Sequence, residues 1–314
     1  MFVLFKKREL SEFISDTFTF FKTFGKHYFK NYFIINGGFL LILCVLMYFF
    51  FKVYFEVLFA SGTGNGDYFL QYFNNNSTIF ISSLVFFGLM IIVLSLLNVA
   101  FPILYLQLLD EKNGNDFNTS DLLVLLKQNV GRLLLFFLGC LFVVLPLMVL
   151  LFSLLVFLCF ILIGIPLIMI AGPAFIAWMH LSFYTYLTEK TSFFTALKIG
   201  FDLVKQRFWH ITATTLIMLI LIQMVQSFIT MIPYAIGMVL FFTSADFKSN
   251  TNSSDYFSSI GIFITVIFVV AVILSYLFNN LVIINQGIIY YSLREENENQ
   301  TTISEIDLIG THNE

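Results

Sequence analysis

The sequence predicts an all-α, polytopic membrane protein with six transmembrane helices, arranged as three repeated hairpins, each preceded by an amphipathic cytoplasmic helix. Three observations predict it. Apolar residues gather in uninterrupted blocks, one block is too long for a single crossing, and lysine and arginine keep to alternate connectors. Of 314 residues, 59% are hydrophobic and 11% charged, against about 45 to 50% and 25% in soluble globular chains, so a soluble class is excluded. The net charge of −3 carries no basic surplus that would point to nucleic acid, and none is expected as a partner.

The blocks run from Phe33 to Phe51, Ile79 to Leu108, Leu133 to Thr188, Ile211 to Phe242 and Ile260 to Tyr291. The third would make a helix of roughly 84 Å, nearly three times a hydrocarbon core of about 30 Å, so the chain must turn back within it. Gly164-Ile165-Pro166 is the expected turn. It divides the block into spans near 133–158 and 166–187, which brings the total to six. Residues 1–5 are too short for the apolar region of a signal peptide, so the first span is expected to be uncleaved.

Orientation follows the basic residues, which accumulate in cytoplasmic loops. Fourteen of the 16 fall in the N-terminal arm, in residues 110–132 and 188–210, and in the tail; only Lys52 and Lys248 fall in the other connectors. Both termini are therefore expected in the cytoplasm. The abundance of Phe, Ile and Asn suggests an AT-rich bacterial genome.

Residues 1–32 are read as a cytoplasmic amphipathic helix, 33–291 as the transmembrane domain and 292–314 as an acidic, disordered tail. In the first segment Phe13, Thr17, Phe21, Tyr28 and Tyr32 share one face and Lys22, Lys26 and Lys30 another. Such a helix suits an interface with anionic lipid. The inward spans end alike, at Leu109-Asp110-Glu111, Leu187-Thr188-Glu189 and Leu293-Arg294-Glu295. Tyr105, Tyr184, Tyr186, Tyr290 and Tyr291 precede these ends and are expected at headgroup level.

In the third repeat the amphipathic stretch reads Thr195-Ala196-Leu197-Lys198, then Phe201-Asp202-Leu203-Val204-Lys205-Gln206-Arg207-Phe208-Trp209. Lys205, Arg207 and Trp209 are further lipid-interface candidates. This pattern before the fifth span resembles the six-span bacterial membrane proteins of the YciC-like group and the membrane domain attached to some glycerophosphodiester phosphodiesterases. The resemblance covers residues 9–293 and implies a fold and an inner-membrane location. It implies no phosphodiesterase activity, because the longest non-membrane segment leaves no room for the soluble catalytic domain.

The polar groups within the spans are the remaining candidates. His180 lies in the fourth span; Asn98 and Gln107 lie in the second, Gln223 and Gln226 in the fifth, and Asn279, Asn280, Asn285 and Gln286 in the sixth. Hydrogen bonding between helices is one use for them. A solute path is another, and would need Asn98, His180, Gln223 and Asn279 to converge on a hydrated cavity. Pro173, after Ala171-Gly172, sits inside the fourth span, where a broken helix can expose backbone groups to a substrate.

No metalloprotease, nucleophile-elbow or phosphate-loop motif is present, so an enzyme is not expected. Cys44, Cys140 and Cys159 have no metal-ligand spacing and sit in apolar blocks, and no cofactor is expected. Residues 60–78 and 243–259, rich in Gly, Asn and Ser, are read as flexible connectors. The sequence thus predicts a non-enzymatic scaffold or accessory component that engages lipids and other membrane proteins, with a small-solute or lipid transporter as the alternative.

Overall fold

The computed structural model describes residues 2–62, 68–243 and 253–298. Its elements are α1 (Leu10–Gly62), α2 (Tyr68–Glu111), α3 (Thr119–Gly139), α4 (Leu145–Leu158), α5 (Gly164–Thr188), α6 (Phe193–Gln206), α7 (Phe208–Thr243) and α8 (Ser253–Glu298), with no strand among the described residues. Six stretches are long and apolar enough to cross a membrane: Leu10–Phe55, Asn76–Glu111, Thr119–Ile161, Gly164–Thr188, Phe208–Val239 and Phe263–Glu298. The protein is all-α and polytopic. Its helices leave large side chains such as Phe142, Leu150 and Phe160 bare, the last 85% exposed. Such surface is tolerated where the surroundings are hydrocarbon.

The predicted reversal in the third block occurs slightly earlier than Gly164-Ile165-Pro166. A wide π-turn at Cys140–Val144 joins α3 to α4, just before Pro146, whose missing N–H such a bulge accommodates. After α4 the chain tightens into a 3₁₀ turn at Cys159–Ile161, and Leu162 adopts φ 62°. Gly164 then opens α5 so close to the preceding helix that a Cβ would lie 2.3 Å from the Leu155 carbonyl oxygen and 2.4 Å from the Cys159 nitrogen. Only glycine fits that approach. Pro166 falls in the first turn of α5, where its absent N–H costs nothing.

The N-terminal amphipathic segment is not a separate helix. Residues 10–62 form one continuous helix, because no proline interrupts this stretch. The first turn of α3 is held by the Asn118 amide, which donates to the Asp121 carboxylate at 2.9 Å. Only in the third repeat is the amphipathic helix distinct. Ser192 caps α6 by accepting from the Thr195 amide at 3.4 Å, and Arg207 breaks it from α7 at φ −132°, ψ 48°.

The stretches read as connectors are shorter than expected. Helix α2 begins at Tyr68 and α8 at Ser253; residues 63–67 and 244–252 lie outside the described residues. Residues 292–298 of the expected tail are helical, and residues 299–314 lie outside the described ones.

The chain divides into two compact units. The first takes the described residues of 1–35, 98–221 and 279–314. Its core is aromatic: Phe13, Phe20, Tyr28, Phe101, Tyr105, Tyr184, Tyr290 and Tyr291 are all almost completely buried. Tyr105, Tyr184, Tyr186, Tyr290 and Tyr291, the tyrosines that precede the ends of the inward spans, are all buried against protein. The second unit takes the described residues of 36–97 and 222–278. There Leu40, Leu43 and Leu94 are buried, Phe51 stacks on Phe268 at 5.1 Å, and Met47, Phe50, Tyr54, Phe80 and Phe87 line an apolar cleft of about 360 Å³.

Candidate functional site

The candidate site is the polar seam inside the aromatic core of the first unit, where α1, α2, α5 and α8 meet. A tyrosine buried in an apolar core requires a partner for its hydroxyl, and the spans supply amides for this purpose. Tyr28 donates to the Asn280 side-chain oxygen at 2.6 Å, and Tyr32 donates to that of Asn98 at 2.7 Å. Asn280 Nδ2 donates to the same Asn98 oxygen at 3.3 Å. Asn98 thus joins α1, α2 and α8 through one acceptor carrying two donors. Phe101 packs edge-on against Tyr28 and Tyr32 at 5.1 and 5.4 Å.

One turn nearer the N-terminus, His27 holds the loop between α2 and α3 against α1. Its Nε2 lies 2.9 Å from the Phe117 carbonyl oxygen and its Nδ1 2.8 Å from the Tyr105 hydroxyl. A carbonyl can only accept, so in the neutral ring Nε2 carries the proton and Tyr105 donates to Nδ1. Thr119 donates to Asn31 in the adjacent turn.

The second part of the seam lies along α8. Asn285 Nδ2 donates to the Phe13 carbonyl at 3.1 Å and to Thr17 Oγ1 at 2.9 Å, and Gln286 Nε2 donates to Thr215 Oγ1 at 2.9 Å. The amide oxygens of Asn285 and Gln286 and the hydroxyls of Thr212 and Thr214 are buried with no hydrogen-bond partner among the described residues. Gly287 lets three helices touch, since a Cβ there would lie 2.3 Å from the Tyr184 hydroxyl and 2.4 Å from Leu106 Cδ1. Tyr184 in turn donates to the Ile283 carbonyl at 2.9 Å.

Charged groups close one end of this unit. The Arg8 side chain is fully buried and donates to Asp16 at 2.8 Å and to the carbonyls of Val3, Leu4 and Lys6. Burial pushes its guanidinium below the ordinary value, and the hydrogen bond and charge of Asp16 oppose that shift. Arg207 donates to the Arg8 carbonyl at 2.7 Å and pairs with Glu9 and Glu296, each at 3.3 Å. The repeat ends meet as well: the Tyr290 hydroxyl lies 2.8 Å from Thr188 Oγ1 and 2.7 Å from Glu189 Oε1.

Of the residues singled out in the sequence, Asn98 and Gln286 are central to the seam. Asn279 is half-buried beside Asn280, which takes the contact. His180 turns Nδ1 to the Ile176 carbonyl of its own helix at 2.8 Å. Gln223 is exposed and bonded to Ser227 at 3.3 Å, and Gln226 donates to the Ala271 carbonyl at 3.1 Å within the second unit. Lys22, Lys26, Lys30, Lys205 and Trp209 are exposed, Trp209 at 66%. Arg207 is the candidate that is tied into protein. Sequence reasoning missed Tyr28, Tyr32, His27 and Arg8 as polar partners; the available signal was tyrosine standing where phenylalanine would satisfy an apolar face.

The seam offers neutral hydrogen-bonding groups, and among the described residues no three His, Cys, Asp or Glu side chains gather as they would to hold a metal. Comparison with protein-family models, with curated proteins and with solved structures gives no match to the chain.

Proposed function

We propose that this multi-pass protein is a non-enzymatic scaffold or accessory component of the bacterial inner membrane, with both termini in the cytoplasm, engaging lipids and other membrane proteins and no nucleic acid. The observation that carries this reading is the bonding of Asn98 to Tyr32 and Asn280, and of Asn280 to Tyr28. Polar side chains within spans are costly unless paired, and here they are used to fix helix against helix, which is what a rigid support requires. The basic residues on alternate connectors support the orientation. The Thr195 to Trp209 segment supports membership of the YciC-like group. Exposed Lys22, Lys26, Lys30, Lys205 and Trp209, together with Arg207, supply the lipid-interface set of this reading.

The test is purification with native lipids and identification by mass spectrometry of the lipids and proteins that remain bound. Stable co-purification of a membrane protein or a defined lipid is the expected result. Movement of a defined solute across reconstituted vesicles would overturn the scaffold. One observation favours that second reading: the buried, unpartnered oxygens of Asn285 and Gln286 could take a passing donor. If it holds, Gln286→Leu abolishes the flux.

A further inference from the structure

Helix α7 carries a polar row in the wrong place for a lipid-facing helix. Gln223, Ser227, Thr230 and Tyr234 follow at spacings of four, three and four, so they lie along one side of the helix. Gln223 and Ser227 are exposed, and Tyr234 is 53% exposed. The apolar stretch Phe208–Val239 is longer than the roughly 20 residues needed to cross hydrocarbon. Wherever a crossing of that length is placed within it, residues 220–227 fall inside. Gln223 and Ser227 are therefore in the hydrocarbon in every register.

Their local partners are poor. Gln223 Nε2 reaches Ser227 Oγ at 3.3 Å, which leaves the Gln223 oxygen and its second N–H without a partner among the described residues. Thr230 returns its proton to the Gln226 carbonyl of its own helix at 3.0 Å. The neighbouring side of α7 is already occupied within the second unit. Gln226 bonds the Ala271 carbonyl, and the row itself ends at Gly237, three residues beyond Tyr234, where a Cβ would lie 1.8 Å from Phe263. A bare carboxamide in hydrocarbon is costly, so the chemistry of this row calls for a polar partner within the membrane.

We propose that the row is the interface with a second copy of this chain, paired in parallel about a two-fold axis normal to the membrane. Symmetry places each residue opposite itself at the same depth. A glutamine both donates and accepts, so Gln223 satisfies Gln223 of the second copy reciprocally, and Ser227 approaches its counterpart one turn along. Spacings of four and three are those of a left-handed helix pair, and neutral polar side chains commonly join membrane helices. A different membrane helix would need its own donor and acceptor at that depth; a second copy has them by identity. The pairing extends the scaffold reading and is tested apart from it, since solute flux would overturn the scaffold and a monomer would overturn the pairing.

The test uses the full chain in native membrane vesicles, with Cys44, Cys140 and Cys159 replaced by alanine. Ser227→Cys is expected to form a disulfide-linked dimer on oxidation. Phe228→Cys, exposed on another side of α7, is expected to stay monomeric. In detergent titrations followed by native mass spectrometry, Gln223→Leu raises the dimer dissociation constant about tenfold or more, while Gln223→Asn retains part of the affinity. Cross-linking at 228 as strong as at 227, a linked product containing a different protein, monomer throughout, or a dimer indifferent to Gln223→Leu would each overturn the proposal.

Discussion

Asn98 is the acceptor for both Tyr32 and Asn280, and this asymmetry gives the seam a measurable signature. Tyr32→Phe removes one donor and leaves Asn98 engaged by Asn280, an effect of about 0.6 to 1.7 kcal/mol by analogy with membrane helix pairs. Asn98→Leu removes the acceptor that serves both donors, and stranding buried donors costs about 1 to 3 kcal/mol each. Asn98→Leu should therefore lower the unfolding midpoint in detergent more than Tyr32→Phe, and the double variant should fall short of the sum. Additive effects would mean that the bond between Tyr32 and Asn98 contributes nothing. Gly287 gives a second cycle. Gly287→Ala forces a methyl against the Tyr184 hydroxyl and Leu106, an overpacking cost of about 1 to 3 kcal/mol. Tyr184→Phe removes the nearest obstructing atom, so it should destabilise the wild type and partly rescue Gly287→Ala, read as a sign change in the shift of the melting midpoint. Asn98 and Gln286 could be picked from the sequence because an amide in a span is conspicuous. Tyr28 and Tyr32 were signalled only by standing where phenylalanine would satisfy an apolar face, and a tyrosine near a span end suits either headgroups or a polar core, with the same periodicity for both.

At the scale of elements, the six spans were legible because apolar runs of this length have no other stable environment. The amphipathic segments were legible as patterns and not as separate helices. A 3.6-residue period shows which face is buried, but it is indifferent to whether the rod stops. In α1 nothing stops it at residue 32, whereas α6 ends where Arg207 leaves helical geometry to bond the Arg8 carbonyl and pair with Glu9 and Glu296, a tertiary cause invisible to local sequence. Helix α6 is registered on α5 by Gly200, where a Cβ would lie 2.2 Å from Ser182 Oγ and 2.7 Å from its backbone nitrogen, and by Trp178, which donates to the Leu197 carbonyl at 2.8 Å. Backbone cannot yield as a side-chain tip can. Gly200→Val should lift α6 from α5, so that limited proteolysis cuts near Lys198 and Lys205, which are exposed already but held in intact helix. Ser182→Ala, which removes only the hydroxyl, should leave the cleavage pattern unchanged. If both variants resist the protease as the wild type does, the close approach is not what docks α6.

For the whole molecule, orientation and lipid contact draw on the same lysines, and one variant separates them. Lys22, Lys26 and Lys30 are exposed at intervals of four along α1, and juxtamembrane basic residues attract anionic lipid by about 1 kcal/mol each. They are also three of the fourteen basic residues on the side proposed as cytoplasmic. Replacing all three with glutamine leaves eleven on that side against Lys52 and Lys248 on the other, a bias still far above what sets topology. Tags fused at residues 1 and 314 should therefore remain on the cytoplasmic face of the triple variant. The anionic lipid retained through purification should nevertheless fall, by about tenfold or more if the three contributions act together, and added salt should erase the difference because surface attraction is screened. Inversion of the tags would show that α1 alone dictates the topology. Unchanged lipid retention would move the lipid contact away from α1, toward Lys205 and Trp209 at the junction of α6 and α7.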